Sequence, residues 1–364
     1  MERLLAGRAQ VEVQYNCADL ISWAQAGDSV GESGVDNDIM HRTMGLAEDF
    51  PEEIAYQYLV LYMLDGYPVV PGSSQSSEIL ACVDRYDTLY REELMAEDSE
   101  DERLAHMKKL TGIYLKLGDT AKGAAYAQRA AEETGDPFLT EQAMYGYFML
   151  AQGEECLELA EAALKEDPDS FIALSYAGRA AMLLDDYPAV ADYGVRLSDI
   201  AKESDDPYAD YMLYQFVSYL TVEDSWYAMS DRFPGAACYH ELPEEQLKQI
   251  QENEYLNAYI QAFAASTDNT VVDLGYYRWE DPEGERALEL ADALISMKEE
   301  AGFPHYIRGM VLNGVDRYEE AIREYTAALA QQPDEHYIWY ALGACYEELG
   351  DLQNAQQAFQ ISLD

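Results

Sequence analysis

The sequence predicts an all-α fold, a solenoid of antiparallel helix pairs with an irregular helical part at its N-terminal end. Three observations predict it. Small and aromatic residues recur at helical spacing, and the combined pattern returns after about 34 residues. Asp-Pro pairs at Asp136, Asp167, Asp206 and Asp281 punctuate the helical stretches, as a capping carboxylate followed by proline in the first turn would. No segment reads as a paired strand: VEVQY, residues 11–15, alternates but stands alone.

The clearest unit lies at the C-terminal end, in WYALGACYEELGDLQNAQQAFQISL. Counting from His336, Trp339, Leu342, Gly343, Tyr346, Ala355, Phe359 and Ser362 take positions 4, 7, 8, 11, 20, 24 and 27. The large residues fill the space between two helices. Gly343 lets them approach, and Ala355 is small where they cross. One unit earlier, Gly309, Leu312, Tyr318, Ala321, Tyr325 and Ala328 recur, with His305 in place of the tryptophan. Pro333 closes that unit and Asp334 is expected to cap the next helix.

Three further units follow one another upstream. The first carries Leu110, Tyr114, Gly118, Gly123, Ala127 and Ala130; the second Tyr147, Cys156, Ala160, Ala163 and Pro168; the third Ala177, Gly178, Tyr187, Val190 and Leu197. The pattern W-x₂-L-G-x₂-Y then A-x₃-F is similar to the signature of the tetratricopeptide repeat family. The resemblance runs from about Leu104 onward and weakens between Asp206 and Gly284. It implies a right-handed superhelix. It also implies a domain order of 104–204 (three repeats), 205–283 (degenerate helical repeats) and 284–364 (repeats ending in the best match).

In the degenerate stretch DPYADYMLYQFVSYL reads as an aromatic-rich helix, and PEEQLKQIQENEYLNAYIQAFAAS as another. Residues 285–300 read as a second helix whose first helix lies around Val271 to Trp279. Residues 1–103 are irregular, a divergent repeat or a cap. CADLISWAQAG reads as a short helix and GDSVGESGVDND as a polar loop. FPEEIAYQYLVLYMLDG reads as a helix opened by Asp49 or Phe50 with Pro51, YPVVPGSSQSS as a turn-rich insertion, and SEILACVDRYDTLYREELM as a second helix.

Composition narrows the function. Against 70 acidic residues stand 23 basic ones, a net charge of -47 that repels phosphate backbones and anionic lipid. Nucleic acid and direct membrane binding are therefore not expected. The five cysteines, Cys17, Cys82, Cys156, Cys238 and Cys345, are far apart and form no CxxC pair, which argues against a disulfide framework or structural zinc and fits a reducing, cytoplasmic compartment. No phosphate-binding glycine loop, zinc-protease or serine-hydrolase motif occurs. His41, His106, His240, His305 and His336 are scattered, and Asp28, Glu32, Asp36 and Asp38 lack calcium-loop spacing. No catalytic residue, metal or cofactor is expected.

The resemblance places a ligand on the concave face, through positions 2, 5, 9, 12 and 13 of each first helix. The candidates there are Lys108, Lys116, Tyr145, Phe148, Arg179, Tyr306, Tyr337, Tyr340, Glu347 and Glu348. Lys108, Lys109, Lys116, Lys122 and Arg129 form the densest basic patch, read as a local ion-pair patch. The carboxylate clamp of some family members would need asparagine where Gly112 stands, and only one of its five elements is present. The reading is a non-enzymatic protein-interaction scaffold that holds an extended peptide or partner helix, with basic or aromatic residues, in its groove. A peptide-responsive bacterial sensor-regulator, or the repeat segment of a larger enzyme or membrane-anchored protein, remain alternatives. The array reaches Asp364 without the polar capping helix such repeats usually carry, so self-association through the last repeat, or truncation, is expected.

Overall fold

The computed structural model describes residues 37–64, 67, 69–221, 239, 242–266 and 284–363. Among them are 17 α-helices and no strand. The chain forms two compact units, residues 1–146 and 147–364. The alternating stretch VEVQY, the expected CADLISWAQAG helix, Cys17, Cys238, Val271 to Trp279 and Asp281 lie outside the described residues.

In the first unit, α1 (Asn37–Asp49), α2 (Ile54–Met63) and α3 (Ser74–Glu93) pack together over Met40, Ile54, Leu59, Val83 and Tyr86. α2 is buried nearly all round, so its sequence is a continuous apolar run instead of one stripe. Within it the buried Gln57 donates to the Ala47 carbonyl at 2.7 Å and accepts from Arg85 Nε at 3.2 Å, which satisfies its amide. The helix expected to open at Asp49 or Phe50 starts later. Asp49 ends α1, Pro51 sits in the turn, and the Glu53 carboxylate caps α2 by accepting from Ala55 N at 3.3 Å. α1 itself escaped the sequence reading. The structure buries mainly Met40, Thr43, Met44 and Ala47 along it, too thin a stripe to stand out.

Regular helix pairs follow. α4 (Glu100–Lys116) opens on a capping box between Ser99 and Glu102 and packs on α5 (Thr120–Thr134). α6 (Pro137–Met149) contains the boundary between the units. In the second unit, α7 (Gly153–Glu166) packs on α8 (Phe171–Leu183), and α8 on α9 (Tyr187–Glu203). At the far end come α14 (Gly302–Gly314), α15 (Tyr318–Gln331), α16 (His336–Glu348) and α17 (Leu352–Leu363), each packed on the next.

One turn recurs between the two helices of a pair. Its pivot has positive φ: Gly118, Ala151, Asp185, Asp316 and Gly350. Where units adjoin, these pivots lie 33 or 34 residues apart. The amide after each pivot reaches five residues back: Asp119 N to Tyr114 O, Gln152 N to Tyr147 O, Asp186 N to Ala181 O, Arg317 N to Leu312 O and Asp351 N to Tyr346 O, all at 2.9–3.0 Å. This bond satisfies a carbonyl at the end of the first helix and turns the chain back. Asp119, Asp186 and Asp351 then cap the second helix through their side chains.

The expected close approach is present. A Cβ on Gly343 would lie 2.8 Å from the Phe359 ring, and one on Gly309 would lie 2.5 Å from Tyr325. In the third repeat the position of the ring is occupied by Gly194. Phe216, from α10 (Pro207–Thr221), fills the gap and lies 2.6 Å from where a Cβ on either Gly178 or Gly194 would be.

Between these regions the sequence reading needs three corrections. The single helix expected from Pro243 breaks into α11 (Glu244–Glu252) and α12 (Glu254–Ser266). Asn253 is extended there; its Oδ1 caps α12 through Leu256 N at 2.9 Å and its Nδ2 donates to Asp199 at 2.8 Å. α13 (Glu285–Met297) packs on α12. Asp167 and Asp334 are not the caps expected. Asp167 closes α7 and Ser170 caps α8, while Glu335 holds the N-cap position of α16.

Long-range bonds tie α14 to α10 across the intervening helices. Asp210 Oδ2 accepts from Phe303 N at 2.9 Å, and Gln332 Nε2 donates to the Pro207 carbonyl at 2.7 Å. Lys298 Nζ donates to the Ala201 and Ser204 carbonyls at 2.6 and 2.8 Å.

An L-residue with a Cβ is strained at a positive-φ pivot, and alanine lacks the side-chain compensation open to aspartate. Ala151→Gly is therefore expected to stabilise the chain by about 1 kcal/mol. Chemical denaturation should show the gain as a higher midpoint, and an unchanged or lower midpoint would contradict the strain.

Candidate ligand-binding face

The first helices of the second unit carry a run of aromatic rings. Tyr208 and Tyr211 stand three residues apart on α10 and so share a face. Phe171 of α8 meets Tyr208 at 6.2 Å, and Tyr208 stacks on Tyr211 at 5.3 Å. Tyr211 meets Phe303 of α14 at 5.7 Å, and Phe303 stacks under Tyr214 at 4.5 Å. Tyr214 lies parallel to Tyr337 of α16 at 6.2 Å, and Tyr337 sets its edge on Tyr306 at 5.3 Å. Phe303 and Tyr306 are buried and form the floor. Tyr208, Tyr211, Tyr214 and Tyr337 are half-buried, each keeping part of its surface in water.

Under this run sits Asp210, 1% exposed, which caps α14 at Phe303 and receives the Tyr259 hydroxyl at 3.4 Å. Burial pushes its carboxyl up to about 6, against the pull of the Phe303 amide, Lys298 and Tyr259. Burial also raises the Glu335 carboxyl, beside the run.

At the other end of α10 a second group forms. Phe148 of α6 meets Tyr219 edge-on at 4.9 Å. The Arg179 guanidinium of α8 lies 4.0 Å from the ring centre of Tyr176, 5.1 Å from Phe148 and 5.6 Å from Tyr219. Arg179 is 3% exposed.

Of the residues named from sequence, the structure brings Phe148 to Arg179, and Tyr306 to Tyr337. Tyr340 is 62% exposed on α16 with its ring 5.5 Å from Phe359, and Glu347 and Glu348 are exposed near the end of that helix. Lys108, Lys116 and Tyr145 belong to the first unit, where Tyr145 and Lys116 are exposed. Lys108 pairs with Asp136 at 2.8 Å and lies over Phe138, while Lys122 pairs with Asp84 and lies over Tyr114. Lys109 and Arg129 lie over Tyr58 and Tyr126, so the basic patch is occupied locally. Sequence reasoning missed Tyr208, Tyr211, Tyr214 and Tyr219. The signal was the aromatic density of residues 207–221, which the repeat register did not index.

Among the described residues no three His, Cys, Asp or Glu side chains gather as a metal site, and no helix is long and apolar enough to cross a membrane. The described cysteines, Cys82, Cys156 and Cys345, are buried free thiols; burial pushes Cys156 up to about 12 and Cys345 to about 11.

Paired helices, a left-handed pivot in each hairpin and a ring seated on a glycine define a helix-pair repeat protein. Residues 308–364 match the family model described as tetratricopeptide repeat, and hairpins of the same period recur upstream of them. No curated protein matches it. Among solved structures, a tetratricopeptide repeat protein from Parabacteroides merdae is 11% identical, covering 89% of this chain and 99% of its own, at a TM-score of 0.31. Human IFIT1, solved as a dimer with m7Gppp-AAAA, is 16% identical, covering 91% and 74%, at 0.31. YrrB, described as a TPR protein with an unusual peptide-binding site, is 15% identical, covering 66% and 92%, at 0.25. Superpositions this loose say nothing of this chain's ligand.

Asp210 gives a pH test. Its carboxyl holds a proton more tightly when folded, about 6, than when unfolded, 3.8. The folded state therefore binds more protons between those values, and stability from this group is lost as pH rises through them. Relative to Asp210→Asn, the wild type should lose on the order of 2 kcal/mol between pH 4 and pH 7. Denaturation curves for both chains at each pH check this; parallel profiles would contradict it.

Proposed function

We propose that the second unit is a non-enzymatic scaffold that holds an extended peptide segment of a protein partner along its aromatic run. The half-buried rings Tyr208, Tyr211, Tyr214 and Tyr337 carry the reading. Tyrosines with rigid rings and one polar tip give large contact area at low entropic cost, and such residues dominate binding hot spots. Their floor is fixed by Phe303 and by the Asp210 bond, so little ordering remains for the ligand to induce.

The partner chemistry follows from charge. Glu347 and Glu348 are exposed on the helix that carries Tyr337 and Tyr340, and the chain's net charge is -47. A peptide with basic or aromatic residues gains cation–π and Coulomb attraction there. Nucleic acid does not, because the field opposes its phosphates. The buried free thiols favour a reducing, cytoplasmic compartment.

The test is to pan a displayed library of linear peptides against the folded chain and measure the recovered peptides by fluorescence anisotropy. Tyr208→Ala with Tyr211→Ala should weaken them at least about tenfold with the helical circular dichroism intact. Glu347→Gln with Glu348→Gln should flatten the salt dependence while leaving most of the affinity. Failure to recover any peptide, or unchanged affinity in both double variants, overturns the proposal.

A further inference from the structure

Among the described residues, Arg179 is a buried cation without an anion. Its Nε donates to the Ser175 carbonyl, one turn back on α8, at 3.3 Å. Nη2 is buried and has no hydrogen-bond partner. Among the described residues no carboxylate forms an ion pair with it. A titratable neighbour, the Cys156 thiol, is held neutral by burial despite the arginine's pull, so it supplies no charge. Leaving a guanidinium in this state is costly, because a buried charge needs both a counter-charge and partners for its protons.

The rings around it say which partner is missing. Phe148, Tyr176 and Tyr219 come from three different helices, α6, α8 and α10, and present their faces to the guanidinium. Faces stabilise the cation but accept no directed hydrogen bond at its edge. Nε is already occupied, which leaves the Nη1–Nη2 edge. That edge is planar and has two parallel donors, the geometry a carboxylate accepts in bidentate fashion. With a single arginine at the site, a monoanion balances the charge. A phosphate dianion would add repulsion from an already acidic chain.

We infer that the Arg179 slot is the site for one carboxylate of the bound ligand, taken end-on by Nη1 and Nη2 between the rings of Phe148, Tyr176 and Tyr219. This rests on the reading of the first-helix face as a peptide surface and adds an anionic anchor to it. Tyr219 is the gate: Phe148 and Tyr176 are buried at 2% and 4% exposure, whereas Tyr219 is half-buried, so a change in its rotamer opens the slot. The ligand is then a segment with one carboxylate at the α10 C-terminal end and aromatic or basic residues toward Tyr337.

The probe is acetate, which reads Arg179 without any peptide. Arginine side-chain resonances of the labelled full chain are followed by NMR during titration with sodium acetate at fixed ionic strength, with sodium phosphate as the comparison. Expected is a saturable shift of the Arg179 Nη signals and of the Tyr219 ring, half-complete on the order of 10 mM or below. Phosphate should act more weakly. Arg179→Lys, followed through the Tyr219 ring, should weaken acetate about tenfold, since a point charge cannot match the fork. Tyr219→Ala, which leaves the cation in place and removes the gate, should tighten it. N-acetylglycine and the α-amide of N-acetylglutamate then distinguish a chain-end from a side-chain carboxylate, the tighter naming the source. A linear drift with acetate in both the wild type and Tyr219→Ala overturns the inference, as does phosphate saturating at equal or lower concentration. Saturable acetate binding in a chain that captures no peptide would retain this site and remove the peptide reading; capture without acetate binding would do the reverse.

Discussion

Each regular hairpin turns on one backbone hydrogen bond, from the amide after the left-handed pivot to a carbonyl five residues earlier. The bond fixes where the first helix ends and where the second is capped, and thus which faces of the pair meet. Once the pair is set, a ring on the second helix lands on a glycine of the first, as Phe359 does on Gly343. The apolar faces left over must stack on a neighbour, because one pair cannot bury both of its faces. The aromatic run is a product of that stacking. α10, α14 and α16 each contribute rings from the same face, and the spacing between helices brings those rings within stacking distance.

Phe216 shows how much the arrangement tolerates. The third repeat has glycine both where the small residue and where the ring belong, and a phenylalanine from the following helix serves both. The substitution binds α8, α9 and α10 into one packed group. It also lets α10 present Tyr208, Tyr211, Tyr214 and Tyr219 from a helix whose orientation is set by a buried ring on its other side.

The repeats were legible in the sequence wherever the hairpin carried its own glycine and ring, as in residues 336–363 and 302–331. They were legible too in the three units from Leu104, because alanines at the crossings keep the period. α1 was not, since few of its residues face the core. The break at Asn253 was not, because both flanks are good helix formers and the residue that ends one helix is held by Ser198 and Asp199, far away in sequence. The candidate face was half legible. Tyr337, Phe148 and Arg179 were named in advance from their repeat positions. The tyrosines of α10 follow a register that Phe216 resets, and counting from neighbouring repeats does not find them. That Arg179 lacks an anion among the described residues is a property of three helices together, invisible along any one of them.

The bonds from Asp210, Lys298 and Gln332 change what kind of array this is. A solenoid held only by nearest neighbours can gain or lose a unit with little consequence, since each interface is replaced by a similar one. Here the start of α14 is capped from α10, and Gln332, just past the end of α15, is anchored there, over sequence separations of 93 and 125 residues. Removing or duplicating any helix between them would leave a buried carboxylate and a helix start without each other. The stretch from Ala201 to Gln332 is therefore a single inheritable block, and variation in repeat number among relatives is expected to fall outside it.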